Sequence, residues 1–144
     1  MKYKLTSVKK EYASVTLYQI EALMDFGNVE EGDKGGYIAK ESNLSQEGNA
    51  WVYGNAEVSG DAEVSGNAEV SGDAEVSGNA RVYGDARVYG DAEVSGDAEV
   101  SGNARVYGDA EVSGDAWVYG NARVYGNARV YGKLKLIGGY FYHY

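Results

Sequence analysis

Cysteine and proline are both missing from this chain of 144 residues, and histidine occurs once. Without cysteine there is no disulfide framework and no thiolate metal site, while the redox compartment stays open. A single histidine, His143, excludes a zinc centre built on clustered imidazoles. No stretch approaches the ~18 apolar residues of a transmembrane helix. Met1-Lys2-Tyr3-Lys4 leads into no apolar segment of signal-peptide type, so the expectation is a soluble cytoplasmic protein with no membrane partner. Basic residues are also scarce: 13 Lys and Arg stand against 22 Asp and Glu, a net charge of −9. That balance argues against nucleic acid as a partner.

What the chain has in excess is glycine, 21 residues, and tyrosine, 14 against two Trp and two Phe. The glycines fall on a fixed period, which is the signature of a repeat architecture. From Asn49 to Gly132 the sequence reads as 14 consecutive hexads of [Asn/Asp]-Ala-x-Val-[Ser/Tyr]-Gly, because 84 residues divide by six. The Ala and Val positions never vary. Asn43 to Gly48 and Lys133 to Gly138 follow the same period more loosely. Three segments result: an N-terminal part over 1–42, a repeat block over 43–138 and an aromatic tail over 139–144.

Ala, x, Val and Ser/Tyr form a short strand in which alternate residues share a face, so Ala and Val point inward and the variable pair outward. Gly followed by Asn or Asp supplies a corner where positive φ is cheap. Three six-residue sides close an 18-residue triangular coil. With parallel strands about 4.8 Å apart, the 14 hexads make nearly five coils and a rod roughly 22 Å long, which the flanks extend to about six coils. The fold class expected is therefore all-β, a single-stranded parallel β-helix with a small N-terminal β cap. Lys2 to Val8 and Val15 to Phe26 read as the two strands of a hairpin over the first coil. Bulky Leu134, Leu136, Ile137, Tyr140, Phe141 and Tyr142 are expected to plug the other end. Gly32-Asp33-Lys34-Gly35-Gly36 lacks the spacing of a phosphate loop and reads as a tight turn.

The spacing of an aliphatic residue and then a small one four later resembles the hexapeptide repeat of left-handed parallel β-helices. The left hand is implied by that resemblance alone, since the general crossover rule favours the right hand and a right-handed solenoid of bactofilin type is the alternative. Leu17 to Gly27, Gly32 to Ile38, Asn43-Leu44-Ser45 and Asn49 to Tyr53 resemble the entry region of YdcK-like hexapeptide-repeat proteins. That resemblance implies a bacterial or prophage source and carries a label of acyltransferase, a label that rests on repeats and not on a site. For the enzymes of the left-handed class it would imply a catalytic His on a coil face, a trimer and an acyl-carrier groove. The repeat block contains no His, and His143 sits in a terminal run, so no catalytic residue, metal ligand or cofactor is expected. Corner Asp residues such as Asp73, Asp91 and Asp109 alternate with Asn at seven of 14 corners, a turn preference more than a calcium requirement.

Specificity is then left to the outward positions, where Glu always accompanies Ser, in seven hexads, and Arg or Trp always accompanies Tyr, in the other seven. Sorting by 18 gives an acidic face of Glu57, Glu75, Glu93 and Glu111. A basic aromatic face carries Trp51, Arg87, Arg105 and Arg123 with Tyr53, Tyr89, Tyr107 and Tyr125. A third face alternates Glu63, Arg81, Glu99 and Trp117. Along a strand, Arg81 is expected over Tyr83 and Arg87 over Tyr89 as cation–π pairs. The plain alternative is a solvated surface spread by hexad duplication. Opposite signs on separate faces favour instead a homo-oligomer or a protein partner, with the basic aromatic face as candidate interface. Two other readings are a glycan stacked on the Tyr ladder and an acidic stripe that mimics nucleic acid. The expected function is a non-enzymatic structural or interaction scaffold.

Overall fold

A computed structural model describes residues 1–144. Strands β1 (Tyr3–Glu11), β2 (Thr16–Ala22) and β3 (Lys34–Ile38) precede the repeats. The hexads then supply β4 (Trp51–Val52) to β17 (Arg129–Val130), one short strand each, followed by β18 (Lys135–Leu136) and β19 (Tyr140–His143). There is no α-helix, only a 3-10 turn over Glu41–Asn43. Three sheets of eight, six and five strands form the walls of a β-solenoid of about six turns. Between the hexad strands of each wall the partners are 18 residues apart, as in Glu57 beside Glu75 and Arg87 beside Arg105.

Each coil is held by backbone bonds to the next. Glu75 N–H donates to Ala92 O at 3.0 Å, Ser77 N–H to Val94 O at 2.9 Å and Asn79 N–H to Gly96 O at 2.8 Å. Every repeat Ala and Val is buried, and with cap residues they make one core of 35 side chains. Removing a Val side chain from water stabilises by about 1.5–3 kcal/mol, so this inner seam, repeated at each strand, drives the fold. Ala on the same face leaves room for the coil to turn.

Only glycines have positive φ; the Asn and Asp that follow them do not. The corner from Ser77 to Ala80 shows why: Ala80 N–H donates to Ser77 O at 3.3 Å across Gly78 and Asn79, and Gly78 alone sits at φ +65°. Positive φ at the first central residue with negative φ at the second belongs to the tight turns that begin with glycine. The tolerance of Asn and Asp for left-handed backbone is therefore not what selects them here.

The expected N-terminal hairpin forms: β1 and β2 pair antiparallel and continue the acidic wall upward, in the order β1, β2, β3 and then Glu57–Val58, with Tyr3 and Ile20 in the core. One expectation in this segment fails. The turn expected at Gly32 to Gly36 is confined to Glu30–Asp33, where Asp33 N–H donates to Glu30 O at 2.9 Å, and Gly35 and Gly36 lie inside β3. These two glycines read as turn residues because composition hides their real constraint. A Cβ on Gly35 would stand 2.6 Å from Val52 O, and one on Gly36 would stand 2.6 Å from Ala56 O. The backbone itself packs there.

Tyr3 fills the top of the core and donates from its hydroxyl to Leu44 O at 2.6 Å. Buried Asn43 closes the first corner, accepting from Ala39 and Lys40 N–H and donating to Ala62 O at 2.8 Å. At the far end the expected plug is only partial. Leu136 and Phe141 pack against the core, whereas Leu134, Ile137, Tyr140 and Tyr142 are exposed, Ile137 at 67% and Tyr140 at 70%. From Arg123 to its partner Tyr140 the step is 17 residues, one short of the period, which puts Tyr140 and Tyr142 at outward positions and Phe141 at an inward one, while Ile137, before the slip, stands at the outward fifth position of its own hexad.

Candidate interaction faces

The predicted faces exist as walls. Glu57, Glu75, Glu93 and Glu111 are direct lateral neighbours, ending on Arg129. Glu69, Arg87, Arg105 and Arg123 are neighbours on a second wall, which begins at Trp51 and ends at Tyr140. Glu63, Arg81, Glu99, Trp117 and Lys135 form the third.

Trp51 has to be removed from the candidate interface. It is 1% exposed, with Tyr3 and Phe26 packed edge-on against its ring at centroid distances of 6.1 and 5.2 Å. The segment that carries Phe26 folds over the outward side of the first coil, so an outward hexad position becomes interior there. Tyr53 is half-buried and packs against the core. The free part of the second wall is Arg87, Tyr89, Arg105, Tyr107, Arg123 and Tyr125.

The tyrosines of that wall are stacked along the rod. Tyr89 and Tyr107 lie 4.9 Å apart with planes 2° from parallel, and Tyr107 and Tyr125 lie 5.1 Å apart at 4°. Tyr142 extends the ladder, 4.9 Å from Tyr125 and tilted by 38°. The hexad count misses Tyr142 because of the 17-residue step; pairing of the terminal strand with the coil above would have found it. Since the rings face one another, they present edges and hydroxyls outward.

The cation–π pairs expected along strands do not form at Arg81 and Arg87. Each arginine reaches back one coil, Arg81 to Glu63 at 3.6 Å and Arg87 to Glu69 at 3.2 Å. A carboxylate within reach outcompetes an exposed ring face. Cation–π contacts occur instead between coils, Arg123 over Tyr140 at 5.6 Å and Lys135 over Trp117 at 5.0 Å.

Charge pairing differs from wall to wall. The third wall satisfies itself: Glu63 holds Arg81, Tyr83 donates to Glu99 at 2.8 Å, and Lys135 covers Trp117. On the acidic wall Glu57 receives Lys10 at 3.2 Å and the Tyr12 hydroxyl at 2.9 Å from the hairpin tip, and Glu111 takes Arg129 at 3.2 Å. Glu75 and Glu93 meet no cation. Burial, and then the charges of Glu57 and Glu93, push the Glu75 carboxyl above its usual range, with Lys10 opposing. On the second wall Arg105 and Arg123 meet no carboxylate. Lys10 and Tyr12 were invisible to repeat counting, because they arrive from the antiparallel extension and not from the period. The tip overhangs a cleft of about 720 Å³ beside Glu57, Asp73 and Glu75.

The five stretches 74–90, 80–96, 98–114, 104–120 and 122–133 match the YdcK β-solenoid repeat. The repeat block is similar to YdcK-type β-solenoids. No curated protein matches the chain. The matched stretches span hexads on all three walls. No helix is long and apolar enough to cross a membrane.

Proposed function

We propose that the protein is a non-enzymatic scaffold that associates with itself through its solenoid walls. One observation carries the reading: two walls of one rod hold opposite, incompletely paired charge at the same coil spacing, Glu75 and Glu93 on one, Arg105 and Arg123 on the other. Charge left over on a regular lattice is best neutralised by a surface with the same repeat, and a second copy of the chain offers one. Tyrosine and arginine are also the residue types enriched where proteins meet.

The glycan reading is less well supported. A sugar stacks on a ring face, and Tyr89, Tyr107 and Tyr125 use their faces on each other. The non-enzymatic part of the proposal rests on residue inventory. The repeats offer no histidine, and His143 is exposed at the chain end, its Nδ1 beside Tyr144 O.

The test is light scattering across a salt series. Association through opposed charged walls is expected to give an assembly at low ionic strength that dissociates as salt rises past about 0.3 M, where the screening length falls well below 10 Å. A protein that is monomeric at every salt concentration would overturn the proposal.

A further inference from the structure

We infer that the acidic wall of one rod seats on the arginine and tyrosine wall of the next, with axes parallel, and that this contact closes into a ring. The inference rests on the self-association proposed above and adds the walls, the orientation and the closure.

The choice of walls follows from pairing. The third wall is neutral in sum, Glu63 and Glu99 standing against Arg81 and Lys135, with Arg81 on Glu63 and the Tyr83 hydroxyl donating to Glu99, so it has little to offer a charged surface. The other two walls are complementary. Both are also shaded at that end, the acidic wall by Lys10 and Tyr12 on Glu57 and by the hairpin tip that overhangs Glu75, the second by Phe26 on Trp51, and they are free from Glu93 and Arg87 onward. Their open portions therefore begin at the same end of the rod.

The level of each charge is set by the order of walls within a coil. Counting along the chain, Glu93 falls between Arg87 and Arg105, and Glu111 falls between Arg105 and Arg123. Parallel rods at one height thus bring each carboxylate to a height between two guanidiniums, Arg105 facing two of them. Like charges 18 residues apart on one wall are interleaved with opposite charges from the neighbour, which removes the repulsion that the ion pairs at Glu111 and Arg87 relieve only in part.

Closure follows from the cross-section. Three sides of six residues give outward normals about 120° apart, so laying one wall flat on the other turns each successive rod by roughly 60°, and a heterologous contact with that rotation closes after about six rods. An inverted rod would generate an open zigzag, since the relation between neighbours would then be a two-fold screw.

The experiment is native mass spectrometry and sedimentation of the full chain at low salt, with two charge-reversed variants. The wild type is expected at six times the 15.4 kDa chain mass. Arg105→Glu reverses one wall and Glu93→Arg the other, and each variant alone is expected to sediment as monomer with unchanged circular dichroism. An equimolar mixture is expected to recover the sixfold mass with the two variants in equal number, because each retains the wall that the other has reversed into a match. Assembly that survives either variant, or a mixture that stays monomeric, overturns the pairing of walls while leaving self-association standing. Open-ended polymers in the wild type that both variants abolish overturn closure alone. A wild type that is monomeric throughout removes the ring and the scaffold proposal together.

Discussion

Glu93 sits beside Glu75 in direct parallel register on the acidic wall, and no cation lies against either carboxylate. The Glu75 carboxyl is raised, first by burial and then by Glu57 and Glu93. Its folded value lies above its unfolded one, the reverse of a salt-bridged carboxylate. The penalty is absent at pH below the unfolded value and grows as pH rises through the folded value. Dilute monomer should therefore gain stability from this group on mild acidification from pH 7 toward 5. Glu75→Gln should raise the neutral-pH Tm on the order of a degree and flatten that part of the profile. Thermal melts of both proteins over this range check it; a variant less stable at pH 7 than the parent contradicts the repulsion.

Corner glycines are not equivalent. Gly78 is at φ +65°, and a Cβ there would stand 2.9 Å from Gly96 N and 3.0 Å from Gly96 O. Gly132 is at φ +69° with nothing within 4 Å. Gly132→Ala should lose about 1 kcal/mol from backbone strain alone, and Gly78→Ala more, about 2–3 kcal/mol, because the coil below must move. Denaturant unfolding of the two variants separates the terms. Equal losses would mean that the coils have slack between them.

Much of this architecture is legible in the hexads because one six-residue rule fixes strand, corner and register together. Val58, Val76 and Val94 stack because each copy of the rule repeats the last, and the wall to which Glu93 or Arg105 belongs follows from division by 18. Legibility ends where the rule does. Trp51 obeys the hexad yet is buried, because Phe26 and Tyr3 come from a segment with no period. Gly35 and Gly36 resemble a turn because nothing local marks the close approach of Val52 and Ala56. At the other end a single missing residue before Tyr140 puts Tyr142 on the ladder. Arg87 chose Glu69 over Tyr89 because neighbours across a coil are set by the register of the whole wall, whereas the pairs within a strand are all that adjacent residues show.

The seam of valines should tolerate loss of volume better than gain of charge. Val94 is fully buried between Val76 and Val112. Val94→Ala should cost about 2 kcal/mol for the lost methyls and the cavity. Val94→Asp would place a carboxylate in a prism one side chain deep with no cation to meet, and should leave the chain unfolded at neutral pH. Circular dichroism and one-dimensional NMR distinguish the two. A folded Val94→Asp protein with the parent's Tm would show that this position faces out, and the inward phase of every hexad would fall with it.

The cap makes the alkaline behaviour distinctive. Lys2 is 3% exposed, with its ammonium donating to Ala50 O at 2.9 Å and lying 4.8 Å from the Phe26 ring centre, and burial lowers it from 10.5 to about 8. Next to it Tyr3 is raised from its usual value of 10.0, by burial first and by Glu41 second. The two signs run opposite ways. Between the folded value of Lys2 and its unfolded one, the unfolded chain holds the extra proton, so stability rises with pH from about 8. Above 10.0 the unfolded chain ionises Tyr3 while the folded chain does not, so that contribution to stability is lost as pH climbs further. The expected result is a maximum in Tm near pH 9–10, well above the neutral region where most proteins are most stable. Lys2→Met should abolish the rise from pH 8 and keep the later fall, and Tyr3→Phe should do the reverse at some cost from the orphaned Leu44 carbonyl. Melting curves at half-unit steps from pH 7 to 11 decide it: a profile that declines steadily from pH 7 in the parent would mean that Lys2 is solvated and that the N-terminal strand does not seal the first coil.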